Sequence, residues 1–100
     1  MGESGIRYRA EPEQLRLVHA LGPMTLIYHR RSGITHMMSE PVPQILDALD
    51  ALGPADAASV TRHLGARFDL ETEEADAART VIAARLDELA LLGLVQRKSA

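Results

Sequence analysis

The sequence predicts an α+β domain, winged-helix-like, in which a three-stranded antiparallel meander is followed by three helices. Apolar residues alternate with period two between residues 15 and 38, and helical spacing takes over from residue 41 to residue 92. Strands segregated from helices along a chain give this class rather than a βαβ fold. A chain of 100 residues is one domain's worth and buries roughly 65% of the surface its unfolded form exposes.

Residues 1–13 are polar, carry Gly2, Gly5 and Pro12 and show no periodicity, so they read as a flexible lead-in to a domain spanning 14–98. Leu15, Leu17, His19 and Leu21 alternate with Arg16, Val18 and Ala20, giving a first strand that Gly22-Pro23 closes. Met24 to Arg30 makes the second strand. Arg31-Ser32-Gly33 serves as a three-residue hairpin loop with its glycine left-handed, and Ile34 to Met38 returns as the third strand. Pro41 suits the first turn of a helix, with Ser39 or Glu40 as cap, and Val42, Ile45, Leu46, Leu49 and Leu52 form its apolar stripe. Gly53-Pro54 ends that helix. Asp56 caps a short second one carrying Val60, Leu64 and Phe68, and a polar turn over 69–72 leads to a third that runs to Leu92. Gly93, with Leu94 placed to touch Leu89, has the pattern of a Schellman cap, and the tail LVQRK is extended.

Composition excludes several classes. Cysteine is absent, so disulfides, thiolate metal sites and cysteine nucleophiles are out, and nothing suggests an oxidising compartment. No run approaches the ~20 apolar residues of a membrane span and no signal core opens the chain, which reads as cytoplasmic. Only Tyr8, Tyr28 and Phe68 are aromatic, so the core is aliphatic. The net charge is −3 with a single lysine, Lys98, which opposes binding to phosphate backbones.

Polar residues form no catalytic pattern. There is no GxSxG, P-loop or GxGxxG, and the carboxylates of the helices lie opposite apolar stripes, where a solvated face carries its charge. His19, His29 and His36 sit one per strand. The three-residue loop pairs Tyr28 with His36 and His29 with Thr35, which sends His29 and His36 to opposite faces and leaves no metal set. His63, beside Arg62, reads as solvated. No catalytic residue, metal or cofactor is therefore expected. Three helices with a hairpin also fit a winged-helix DNA-binding regulator, but the third helix and its lead-in carry Glu71, Glu73, Glu74, Asp76, Asp87 and Glu88 against Arg79 and Arg85, which favours no nucleic-acid partner.

What remains is the third strand. It is an edge of the meander, and an edge exposes unpaired backbone N–H and C=O groups that proteins usually guard with lysine, proline or an inward charge. Ile34, Thr35, His36, Met37 and Met38 include none of these. Such an edge can receive a peptide as an added strand, and methionine side chains adapt to different guests. The third helix, through Ala78, Val81, Ile82 and Arg85, is the expected wall of the groove.

The stretch LIYHRRSGITHMM resembles the strand-turn-strand of the PqqD-like peptide chaperones, also called RiPP recognition elements, and specifically the subgroup associated with HPr-kinase-related proteins, which shows SG-x-TH before a hydrophobic residue. The similarity continues through Ile45, Leu46 and Leu49, the Gly53-Pro54 start of the second helix, and LDELALLGLV, covering about residues 14–96. Met38 departs from the leucine common there. The resemblance implies a non-catalytic, winged-helix-like domain that binds the leader segment of a ribosomally made precursor peptide along the third strand, in a cleft closed by the third helix, and presents it to a modifying enzyme. It further implies an HPr-kinase-related protein as that partner. A homodimer through the edge strand is the other arrangement such an edge permits.

Overall fold

Ile6, Tyr8 and Ala10 alternate with Arg7 and Arg9, and this short period-two run is a strand, β1 (Ile6–Ala10). The computed structural model describes residues 6–68 and 72–99. A 3-10 turn at Glu13–Leu15 leads into β2 (Arg16–Leu21), β3 (Met24–His29) and β4 (Ile34–Ser39), followed by α1 (Val42–Leu52), α2 (Ala57–Phe68), α3 (Thr72–Leu92) and β5 (Val95–Ser99). The first three strands after the turn form an antiparallel meander in the order β2-β3-β4, and β1 pairs with β5 in a separate two-stranded sheet. The domain is α+β, as the segregation of periods predicts.

The lead-in departs from expectation. Residues 6–10 pair along their length with 95–99, and Tyr8 exchanges backbone hydrogen bonds with Ala55 at 2.8 and 3.0 Å. Tyr8 and Ala10 are core residues, and the Tyr8 hydroxyl donates to Asp87 at 2.7 Å. Residues 6–10 thus belong to the domain.

The meander turns also differ in one detail that matters. Gly22, at φ +58°, supplies the positive φ that a two-residue hairpin needs at its first position. The second turn holds four residues, Arg30 to Gly33, because the Gly33 N–H donates to the His29 carbonyl at 2.8 Å. His29 therefore faces Ile34, Tyr28 faces Thr35 and Ile27 faces His36. A one-residue slip moves every side chain to the other face, so His29 and His36 share a face of the sheet instead of opposing ones.

Helix ends obey local chemistry. The Ser59 N–H donates to Asp56 Oδ1 at 2.8 Å, capping α2, and this hydrogen bond holds the Asp56 carboxyl below its ordinary value. At α1 the residue before the helix is Pro41, with no side-chain cap, and the Glu40 carboxylate accepts from the Gln44 amide at 3.2 Å instead. The end of α3 is a Schellman cap: Leu94 N–H to Leu89 carbonyl and Gly93 N–H to Ala90 carbonyl, both 3.1 Å, with Gly93 at φ +84°. The core joins one face of the meander to the helices through Ile27, Ile45, Leu49, Val60, Leu86, Leu89 and Leu94. The Phe68 side chain and residues 69–71, read as core and turn, lie outside the described residues. No described helix is long and apolar enough to cross a membrane.

Candidate functional site: two free edges of one sheet

A three-stranded sheet has two outer strands, here β2 and β4, and each keeps one side of its backbone unpaired by the sheet. On the face toward the helices lie Arg16, Val18 and Ala20 of β2, Thr25, Ile27 and His29 of β3, and Ile34, His36 and Met38 of β4, as the register dictates. The other face carries Leu17, Leu21 and Met37, all substantially exposed.

The five predicted residues of β4 stay together at the sheet edge. Ile34 is 54% and Met37 62% exposed, while Met38 packs against the core and His36 is half-buried. The His36 Nε2 atom is shielded from solvent without a hydrogen-bond partner, and burial, with the nearby His29 adding to it, pushes its pKa below the ordinary imidazole value. The predicted helix residues are dispersed. Ile82 is buried in the core, Ala78 is half-buried, Val81 is exposed, and the half-buried Arg85 donates to Glu88 at 2.8 Å. The helix packed against β4 is α1, whereas α3 packs chiefly against α2 and β5.

At the β2 edge the structure holds a groove that periodicity does not reveal. Its volume is about 500 Å³, with Val18, Ala20, Thr25 and Ile27 on the sheet side and Pro43, Leu46, Asp47 and Asp50 on α1. Arg16 ties the two walls together: its guanidinium, only 7% exposed as a residue, reaches both oxygens of Asp50 at 2.6 and 2.5 Å. Asp47 is exposed and has no ion-pair partner among the described residues.

A second missed constellation sits at the hairpin end. Glu11 and His29 are buried, with His29 Nε2 3.0 Å from Glu11 Oε2 and His29 Nδ1 2.9 Å from Ser32 Oγ. Arg31 Nε donates to the same Glu11 oxygen at 3.0 Å, and the Gln96 amide to the other at 3.4 Å. Burial alone pushes the Glu11 carboxyl up, but hydrogen bonds from His29 and Arg31, with their charges, outweigh it and hold its pKa below the ordinary value. A hydroxyl, an imidazole and a carboxylate in line is superficially a nucleophile relay. Here the Ser32 oxygen also accepts the Ile34 N–H at 3.2 Å, the arrangement of a turn-stabilising hydroxyl. The cluster fastens the lead-in and the start of β5 to the meander. Among the described residues no three His, Asp or Glu side chains converge as a metal set.

Fold and surface together define a small α+β domain whose sheet is open on both sides. Comparison of the chain with protein-family models, curated proteins and solved structures returns no match.

Proposed function

We propose that this domain is a peptide-binding module without catalysis of its own: it takes the leader segment of a ribosomally made precursor peptide as an added strand beside β4 and presents that peptide to a modifying enzyme. The observation that carries this reading is β4 itself, an outer strand whose Ile34, Thr35, His36, Met37 and Met38 bear no lysine, proline or carboxylate. The resemblance to the PqqD-like family supports it and adds an HPr-kinase-related protein as the enzyme to be served.

Magnitudes set what the guest must contribute. Four or five main-chain hydrogen bonds at about 0.5–1.5 kcal/mol each give roughly 2–7 kcal/mol before the cost of ordering the peptide. Micromolar binding needs about 8 kcal/mol. Side chains of the guest therefore have to cover Ile34 and Met37, the most exposed apolar groups on the strand.

Proline substitution one residue at a time along 34–38 tests the geometry. Alternate residues of an edge strand point their N–H groups outward, so proline at one parity blocks the guest while the other parity disrupts pairing with β3. Synthetic N-terminal segments of short reading frames adjacent to the gene serve as probes in a fluorescence titration. Undiminished affinity in folded proline variants of both parities rules the reading out.

A nucleic-acid reading has one observation in its favour. Four of the chain's 11 lysines and arginines, Arg7, Arg9, Arg97 and Lys98, gather on the β1-β5 ribbon, with Arg7 directly opposite Lys98. Firm, salt-sensitive retention on a heparin column would move the proposal to a winged-helix DNA-binding regulator.

A further inference from the structure

The β2 edge is the better furnished of the two, and the peptide reading leaves it unused. We infer that the groove between β2 and α1 is a second docking site, which takes an extended, cationic segment of a partner protein while β4 holds the leader peptide. The inference goes beyond the proposed function and rests on different residues.

Three observations converge on the groove. The first is the strand edge. β2 is paired only with β3, so an incoming strand finds backbone donors and acceptors along 16–21. Next comes the shape: Val18 faces the helix side of the sheet yet is 57% exposed, because α1 stands off from it and leaves the ~500 Å³ groove. Ile27 and Leu46 give the groove an apolar floor that accepts one side chain of medium size. The last is charge. Asp50 is already neutralised by Arg16, while Asp47 one helical turn away has no counter-ion among the described residues, so the groove carries one uncompensated negative charge. An apolar residue for the floor and an arginine or lysine for Asp47, on an extended backbone for β2, is the chemistry that satisfies all three.

This choice separates the occupant from the alternatives. The β4 edge of another copy carries no lysine or arginine, and association of copies through the cationic β1-β5 ribbon is read as dimerisation in the test below. A guest along β2 adds to the same sheet as a guest along β4 without touching it, three strands away. A module of this kind can hold peptide and enzyme at once, and linking two binding events in one scaffold raises the effective concentration of one for the other.

The test uses the full chain and a short capped peptide of alternating valine and arginine, with a valine-glutamate peptide of equal length as its counterpart. Amide shifts followed by NMR at low salt are expected on residues 16–21 and on α1 around Asp47 with the arginine peptide, and the glutamate peptide should bind at least about tenfold more weakly. Ala20→Trp, which fills the groove from an exposed position, and Asp47→Arg, which inverts its charge, should each lower affinity about tenfold or more without unfolding the chain. A proline variant of β4 should bind the arginine peptide unchanged. Equal binding of both peptides, shifts confined to 34–39, or indifference to both groove variants would overturn the inference. So would peptide-independent dimerisation through β2 seen by light scattering. Because the β4 proline variants leave the groove intact, failure of this site and failure of the leader-peptide reading appear in different variants.

Discussion

The two edges of the meander belong to one sheet and differ in what stands beside them. Along β4 the strand carries no lysine, arginine or carboxylate, and of its inward residues Met38 and His36 are partly taken up by the domain's own packing while Ile34 stays exposed. Along β2 the inward residues Val18 and Ala20 are left in the open, and α1 supplies a wall with two carboxylates. The difference has one cause. Arg16 occupies the inward position where an apolar residue would draw α1 down onto β2, and its pairing with Asp50 holds the helix at the length of a guanidinium. An ion pair buried at Arg16 and partly open at Asp50 acts as a spacer here, and the space it leaves is the groove.

Removing the spacer's anion is the change with the largest expected effect. Asp50→Ala leaves an arginine that cannot shed its charge and is almost fully buried. Breaking a fully buried pair in this way costs about 3–5 kcal/mol, and because the Asp50 side chain is itself 34% exposed we expect the low end, about 3 kcal/mol. Urea unfolding measures it, and a loss below about 0.5 kcal/mol would mean that the pair does not hold the wall. In the folded fraction the arginine peptide should lose its site at β2 while β4 keeps its guest.

Glu11→Leu comes next and strikes the end of the hairpin common to β3 and β4. It deprives the buried His29 Nε2 of its partner and Arg31 of its carboxylate, but the Arg31 side chain is 64% exposed and water can take the carboxylate's place. The expected loss is about 2 kcal/mol, in the range for one unsatisfied buried group. Equal losses for Glu11→Leu and Asp50→Ala would contradict the distinction between an anion whose guanidinium is buried and one whose guanidinium water can reach.

Legibility in the sequence followed the range of the interactions. The meander, the three helices, the Asp56 cap and the Gly93 cap depend on neighbours within a few residues, and spacing revealed each of them. Of the β1-β5 ribbon only the extended tail was legible; β1 and the pairing were not, because Ile6, Tyr8 and Ala10 find partners at 95–99, across nearly the whole chain. The hairpin register was missed by a single residue: Gly33 marks the left-handed position, but nothing local says whether Arg30 ends the strand or begins the turn. The β4 half of the site was readable as an unguarded edge. The β2 half was not, since Leu17 and Leu21, which carry the visible alternation, face away from the helices, and the groove depends on Arg16 meeting Asp50 34 residues later.

Gly93→Ala should cost about 1–2 kcal/mol, the penalty for a side chain in left-handed backbone. An added Cβ would also stand 3.2 Å from His29 Cε1, so the ring must yield by a few tenths of an ångström. Acid acts on the two edges unequally. His36 on β4 has its folded pKa lowered from 6.5, so its contribution is full above 6.5 and fades as pH falls through the folded value; Glu11 and Asp56, lowered from 4.5 and 3.8, follow the same sign at lower pH. Stability should therefore decline first just below neutrality, and again in the carboxylate range. His36→Gln should flatten the first decline alone, which thermal unfolding across pH reads directly. A first decline of unchanged size in that variant would assign it elsewhere.

The smallest expected effect on stability is the most informative about β4. Met37→Lys places a charge on a side chain that is 62% exposed on the face away from the helices, so unfolding should shift by no more than about 0.5 kcal/mol. Lysine on an edge is, however, the device by which proteins refuse an added strand. If β4 is a receiving edge, Met37→Lys weakens the β4 guest or abolishes edge-to-edge self-association while leaving the arginine peptide at β2 untouched. Loss at both edges would mean that a guest on one depends on the other, which a rigid three-stranded sheet does not require; loss at neither would mean that Met37 is only a surface residue and that β4 receives no guest strand.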